Sequence, residues 1–328
     1  MFTDHVSDTI KNGGEVEKVP TRNGYGEGLL EAGKRDENVV ALCCDLTEST
    51  RTQQFAEAFP DRFVQIGVAE QNLASVGSGM AAMGKIPFIS SYAMFSPGRN
   101  WEQIRTTVAY NNSNVKIVGA HAGVSVGPDG ATHQAIEDIA IMRAIPNMTV
   151  IAPADVHEAR KVALAAAKHN GPVYFRLGRS ATPVVTTEET EFEIGKAQLM
   201  FTRDESLEKK VGIISTGSLL YNALMAAHEL QTQGIGATVL HLATIKPMDT
   251  EAVAALAAEH DGIVTVEEHQ VAGGMGSSVA EFLSETNPTK IARIGIQDQF
   301  GQSGEPDKLV EHYGMGVSSI VEAGKRLV

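Results

Sequence analysis

The chain has 328 residues, 43% of them apolar, enough for two ordinary domains with sizeable cores. Its formal net charge is −13 and no lysine or arginine run occurs, so nucleic acid and anionic membrane are poor partners. A small anionic ligand, held by a few local cations, stays open. The two cysteines, Cys43 and Cys44, are adjacent and suit neither a useful disulfide nor a metal cluster; they read as strand filling. Residues 1–14 lack a secretory apolar run and no window reaches membrane-span length, so a cytoplasmic protein is expected.

Short apolar runs alternate with amphipathic stretches along the chain. Strands are predicted at Val39–Cys43, Pro87–Ser90, Val115–Ala120, Thr149–Ala152 and Val173–Arg176. Helices are predicted at Gln71–Met83 (Leu73, Val76, Met80 and Met83 on one face), Trp101–Tyr110, Gln134–Arg143 (Ile136, Ile139 and Ala140 inward) and Val156–Lys168. Residues 180–196 change character, with Pro183 and an acidic, threonine-rich run, and read as a linker. The rhythm then restarts. Strands follow at Val211–Ser215, Ala237–His241, Gly262–Glu267 and Ala292–Gly295, and helices at Leu219–Gln231, Thr250–Glu259 and Ser277–Leu283. Such alternation predicts an α/β fold of two domains, each a mainly parallel sheet with helices on both faces. The expected division is an N-terminal extension over 1–18, a first domain over 19–182, a linker over 183–196 and a second domain over 197–328. Ligands in such sheets bind beyond the carboxyl ends of strands.

Three segments near those ends carry candidate chemistry. Glu70, in Ile66-Gly67-Val68-Ala69-Glu70-Gln71-Asn72, is an isolated acid with apolar surroundings. Desolvation of such an acid suits it to share a proton with a heteroaromatic ring nitrogen; the bland alternative is a helix N-terminal acid stabilised by the macrodipole. Tyr92 and Phe95 stand three apart on a loop after a strand, as a stacking platform or as ordinary core. His121, Asp129 and His133 share one glycine-containing loop and suit hydrogen bonds to sugar hydroxyls and a carbonyl, without the spacing of a zinc set. Asp129 in Pro128-Asp129-Gly130 also reads as a plain turn residue. Arg22 and Arg179 are isolated cations that can fork a phosphate, and Ser49 can add a hydroxyl; each alone also reads as surface. Gly273-Gly274-Met275-Gly276 reads as a tight strand–helix turn in preference to an anion site.

Together, Thr21-Arg22, Asp45-Leu46-Thr47-Glu48-Ser49, Gly67-Val68-Ala69-Glu70-Gln71-Asn72 and Gly127-Pro128-Asp129-Gly130-Ala131-Thr132-His133-Gln134 resemble the C-terminal portion of transketolase, from about residue 19 to the end. The resemblance implies thiamine diphosphate chemistry. In that family the acid matching Glu70 bonds the aminopyrimidine N1′, and aromatics matching Tyr92 and Phe95 line its pocket. The residue matching His133 contacts the donor near its carbonyl, and the one matching Asp129 reads a donor hydroxyl. Residues matching Arg22, Ser49, His121 and Arg179 face the sugar phosphate, and Asp45 matches a residue close to the cofactor. Gly98 stands about where a third aromatic often lies.

The sequence has no Gly-Asp-Gly motif of the diphosphate site. The resemblance therefore implies the smaller subunit of a split transketolase. Its partner would be an N-terminal subunit supplying the diphosphate site and the Mg²⁺ or Ca²⁺ ligands, with two copies of this chain dimerising inside a heterotetramer that acts on phosphorylated sugars. Rival readings are a subunit resembling deoxyxylulose-phosphate synthase or the β subunit of 2-oxo-acid dehydrogenases, and a non-catalytic scaffold. Gln134-Ala135-Ile136-Glu137-Asp138 and Asp45-Leu46-Thr47 favour transketolase, and the joint presence of Glu70, His121, Asp129 and His133 speaks against a scaffold.

Overall fold

A computed structural model describes all 328 residues. It contains a seven-stranded sheet, a five-stranded sheet and a two-stranded ribbon. In the larger sheet the strands lie side by side in the order Thr244–Lys246, Thr149–Ile151, Val173–Arg176, Lys116–Ala120, Ile86–Tyr92, Val39–Cys43 and Phe63–Gln65. All its pairs are parallel except the first, where Thr244–Lys246 runs antiparallel at the edge. That edge strand comes from the second half of the chain, so the first sheet draws on both halves. The smaller sheet has the order Ile291–Ile296, Gly262–Gln270, Lys209–Ser215, Ile235–His241 and Gln198–Phe201, with the last strand antiparallel. The expected α/β class with mainly parallel sheets is what the chain adopts.

Central strands are buried at every position, as in Val39–Cys43, Lys116–Ala120 and Val173–Arg176, which suits a parallel sheet covered on both faces. One core cluster holds Leu42, Ile89 and Ile117 together with Ile214, Leu242 and Val253, so the two sheets share packing. The expected linker is strapped down. Its strand Ala181–Pro183 pairs with Lys18–Pro20, and Asp155 accepts hydrogen bonds from the amides of Val185 and Thr186 at 2.8 and 2.5 Å. Residue Phe2 bridges to Phe201, tying the N-terminal residues to the smaller sheet.

Several expected elements shift. The predicted helix from Gln134 begins only at Asp138, because Ala135 instead bridges to Ala122 and Gln134 turns its amide onto the Val124 carbonyl at 3.0 Å; Ala140 is only half-buried. The stretch from Trp101 is one α-turn that widens into a π-helix over Ile104–Ala109. On helix Glu70–Ala82 the buried face runs through Leu73, Ala74 and Gly77, and Met83 lies beyond the helix, 83% exposed. The helix Thr21–Arg35 was not expected, since its four glycines, Gly24, Gly26, Gly28 and Gly33, lower helix propensity. They permit close packing: a Cβ on Gly24 would sit 1.9 Å from the Val156 carbonyl oxygen. The helix thus lies directly on Val156–Lys168 and presents Arg22 from its first turn. No helix is long and apolar enough to cross a membrane.

Candidate active site

Three adjacent strands of the larger sheet, Lys116–Ala120, Ile86–Tyr92 and Val39–Cys43, deliver His121, Tyr92 and Asp45 at their carboxyl ends. His121 and Asp45 both have φ of 56°, a left-handed conformation that non-glycine residues hold only where their surroundings impose it. The site grows outward from these ends in two directions, one cationic and one acidic.

At the cationic end, Arg22 Nη1 donates to the Ser49 carbonyl at 2.9 Å and lies 3.3 Å from His121 Nε2. A guanidinium only donates, so Nε2 accepts and the imidazole proton sits on Nδ1, a buried donor that has no partner. Arg179 reaches the Val126 carbonyl at 2.9 Å, and Arg51 Nε reaches Asn23 Oδ1 at 2.9 Å. None of these three arginines forms a salt bridge with a carboxylate. Burial above all, then the charges of Arg22, Arg179, Arg51 and His133, push His121 down to about 3, so it is neutral at neutral pH. Burial and then the charges of Arg51 and Arg179 also lower Arg22. Like charges gathered without a counterion repel, and an anion placed among them relieves that cost.

At the acidic end, Glu70 opens its helix and is 2% exposed. Arg99 Nη1 lies 2.9 Å from its Oε2, while Oε1 accepts no hydrogen bond within the chain. The Arg99 guanidinium also rides 5.1 Å from the centre of the Phe95 ring. Phe95 meets His133 edge to face at 5.4 Å and lies nearly parallel to Tyr92, 17° apart at 6.3 Å. Tyr92 in turn stacks on His121 at 3.8 Å. A continuous line of contacts therefore runs from Glu70 through Arg99, Phe95, Tyr92 and His121 to Arg22. Both cysteines are free and buried. Burial holds the Cys44 thiol up at about 11, opposed by the Ala69 amide, so it is a poor nucleophile beside Glu70.

Residues 17–185 match the family profile described as transketolase, pyrimidine binding domain, and residues 202–320 match transketolase, C-terminal domain. The chain belongs to the transketolase family. A Methanocaldococcus jannaschii protein, provisionally named a transketolase C-terminal section, is 47% identical over 92% of this chain and 94% of its own length. A Clostridium relative, named a 6-deoxy-6-sulfo-D-fructose transketolase subunit, is 41% identical over 94% of each chain. A solved structure described as a split gene transketolase, inactive β4 tetramer, superposes with a TM-score of 0.87 at 43% identity, covering 94% of this chain and 98% of that one.

In this member of the transketolase family the residues singled out in the sequence are gathered unevenly. Arg22, His121, Tyr92, Phe95 and His133 come together, and Arg179 joins through its charge. Ser49 takes part by its carbonyl, not by the expected hydroxyl. Glu70 is buried as expected but not isolated, because Arg99 is on it. The Tyr92 ring is not an open platform, since His121 covers one face. The side chain of Asp129 is exposed and makes no hydrogen bond, and the exposed Asp45 bonds only through its amide, to Gln65 Oε1 at 2.7 Å. Neither aspartate has a side-chain hydrogen bond or ion pair with the cluster. At Gly98 a Cβ would fall 1.9 Å from the Met94 carbonyl oxygen, so this loop has no room for a third aromatic. The Gly273–Gly276 turn is a tight turn as expected, the amides of Met275 and Gly276 being taken by Glu267 and that of Gly273 by Ser277 Oγ. Arg51 and Arg99 were missed, because neither lies in a recognisable motif and each acquires meaning only through a neighbour distant in sequence.

Proposed function

We propose that this chain is the pyrimidine- and sugar-binding half of a split, thiamine-diphosphate-dependent transketolase that moves a two-carbon ketol unit from a ketose phosphate to an aldose phosphate. The line of contacts from Glu70 to Arg22 carries this reading: it puts a buried acid with a free oxygen at one end and three unpaired arginines at the other, bridged by aromatic and imidazole rings. The residues fit the cofactor's ring, since Glu70 Oε1 has no hydrogen-bond partner within the chain and Oε2 is tied through Arg99 to the Phe95 ring. When bound, thiamine diphosphate supplies a nucleophilic carbon and an electron sink for breaking the bond next to a ketose carbonyl.

In this reading Glu70 holds a proton at the aminopyrimidine nitrogen, while Phe95 and the edge of Tyr92 wall the ring from water. His133 hydrogen-bonds the donor near its carbonyl. Neutral His121 offers its Nδ1 proton to a sugar oxygen. Arg22 and Arg179 bind the phosphate, with Ser49 fixing Arg22 through its carbonyl. Asp129 reads a donor hydroxyl and Asp45 borders the cofactor, each from the rim. No group of three or more metal-ligating side chains is gathered here, so Mg²⁺ or Ca²⁺ and the diphosphate are assigned to an N-terminal partner subunit in a heterotetramer holding two copies of this chain. The split-gene neighbour, described as an inactive β4 tetramer, supports a half that is inactive by itself in that protein.

The test is reconstitution. The chain with cofactor, Mg²⁺ and sugar phosphates should show no turnover, and adding a diphosphate-site subunit should restore it. In that complex Glu70→Gln should lower kcat by about 10³-fold, within the usual range for a positioned acid, while assembly stays intact. Unchanged turnover would sink the assignment, and activity on pyruvate in place of a ketose donor would transfer it to another thiamine enzyme.

A further inference from the structure

The turn that replaces the third aromatic has work of its own. Residues 96–100 fold back on Glu70 at two points. Asn100, fully buried, donates from Nδ2 to the Glu70 carbonyl at 2.9 Å and to Ser96 Oγ at 3.2 Å, fixing the backbone of the acid. Arg99 takes Glu70 Oε2 at 2.9 Å, fixing the side chain. The same guanidinium lies against Phe95, so the acid and the aromatic wall are linked through one residue. The turn is tight: the Arg99 amide bonds the Phe95 carbonyl at 2.9 Å, and Gly98 packs on Met94 where no Cβ fits. A bulky residue at 98 would open the turn and carry Arg99 away from Glu70.

We propose that Arg99 is the positioning residue of this site, holding one oxygen of Glu70 so that only the other faces the cofactor ring, and that Gly98 is required to place it. The proposal rests on the reading of Glu70 given above. A glutamate carboxylate on three free side-chain torsions presents either oxygen in many orientations. A charge-assisted bond to one oxygen reduces these to one, the same logic by which a base in other active sites is aimed by a third group. Misplacement of about an ångström at such a group costs on the order of a hundredfold in rate. Arg99 is itself half exposed, its side chain 51% accessible against 2% for Glu70, so it tethers the acid without sealing it.

The experiment uses the reconstituted complex with Arg99→Ala, Arg99→Lys, Gly98→Ala and Glu70→Gln. Calorimetric titration of thiamine diphosphate into each cofactor-free complex is read beside kcat and donor KM. Arg99→Ala should weaken cofactor binding and lower kcat, each roughly tenfold or more, with donor KM unchanged. Arg99→Lys should recover part of both, and Gly98→Ala should resemble Arg99→Ala. In the Glu70→Gln background, Arg99→Ala should add almost nothing, because its effect passes through Glu70. Equal cofactor affinity and kcat in wild type and Arg99→Ala, or losses that multiply independently of Glu70→Gln, would overturn the proposal. If Arg99→Ala fails to assemble, Arg99→Lys and Gly98→Ala decide by the same two readouts. Should Glu70→Gln itself leave turnover intact, the functional reading fails first; a Glu70→Gln loss with an innocent Arg99 removes only the positioning role.

Discussion

The two sheets of this protein are built alike, yet the charges at their strand ends are used in opposite ways. After strand Gly262–Gln270 begins to leave the smaller sheet, Glu267 and Glu268 are both buried and both fully engaged. Glu267 accepts the amides of Met275 and Gly276 at 2.6 and 2.8 Å, capping the following helix. Glu268 accepts the Ser125 amide at 2.6 Å and the hydroxyls of Ser125 and Ser218 at 3.2 and 3.0 Å, stitching the two halves together. In the larger sheet Glu70 keeps one oxygen free, and Arg22, Arg51 and Arg179 have no acid partner. Both sets stand toward the carboxyl ends of strands, Glu267 and Glu268 in the last part of Gly262–Gln270 and Glu70, Arg51 and Arg179 on chain that follows a strand. What separates a structural charge from a ligand-binding one is whether the chain itself satisfies it.

That contrast is broken most directly at Glu267. Glu267→Ala leaves two buried helix amides without an acceptor and should cost about 2–4 kcal/mol, read as a fall in the urea midpoint of the isolated chain. Glu70→Gln should hardly move the same midpoint while removing turnover from the complex. If Glu267→Ala were neutral, or Glu70→Gln strongly destabilising, the division between a closed and an open sheet would not hold. Burial already pushes the Glu267 carboxyl up to about 7, so it stays in place because of its two amides and not because ionisation is easy there.

How much of this was legible in the sequence follows the range of the interactions. Strand Val39–Cys43 and helix Val156–Lys168 fall where periodicity puts them, since their signals are local and strong. Helix Thr21–Arg35 was hidden because its glycines look like loop until the neighbouring helix that needs their missing Cβ atoms is present. The Gln134 stretch looked helical because Ile136 and Ile139 are spaced for it, and a tertiary bridge between Ala122 and Ala135 overrides that spacing. The site shows the same pattern. Glu70, Tyr92, His121 and His133 could be picked out because they sit in distinctive local runs. Arg99, meeting a carboxylate 29 positions away, and Arg51, meeting Asn23 28 positions away, could not.

Within the open sheet the arginines should rank by burial. Arg22 is half-buried and holds both the Ser49 carbonyl and His121. Arg22→Ala should therefore lower kcat/KM for a phosphorylated donor by about 30-fold, the worth of one charge-assisted hydrogen bond near 2 kcal/mol. A ketose without the phosphate should be almost indifferent to the change. His121 gives a stability readout of the same cluster. Folded, it resists protonation until about 3, against 6.5 for an ordinary imidazole. Unfolded chain thus binds a proton below pH 6.5 that the folded chain refuses, so stability falls as pH drops through that window and is unaffected above it. His121→Asn should remove about 2 kcal/mol of this acid sensitivity between its ordinary value and roughly pH 5, measured as the difference between the two pH–stability curves. Parallel curves would mean that neither burial nor the arginines depress this imidazole.

The smallest effect belongs to Arg51. It is exposed, and its guanidinium is held only by Asn23 Oδ1. An exposed charge is worth under about 1 kcal/mol and is screened by salt. Arg51→Ala should therefore raise the KM of a phosphorylated donor by only about threefold at low ionic strength, and the difference should fade as salt is raised. Its backbone has φ of 64° and lies against Gly26, where a Cβ would meet the Arg51 carbonyl oxygen at 2.7 Å. Gly26→Ala should move Arg51 without removing it and reproduce the same salt-dependent rise in KM. A salt-independent effect of either change would place Arg51 in direct contact with the phosphate, making it an equal of Arg22 and not an outlying member of the cluster.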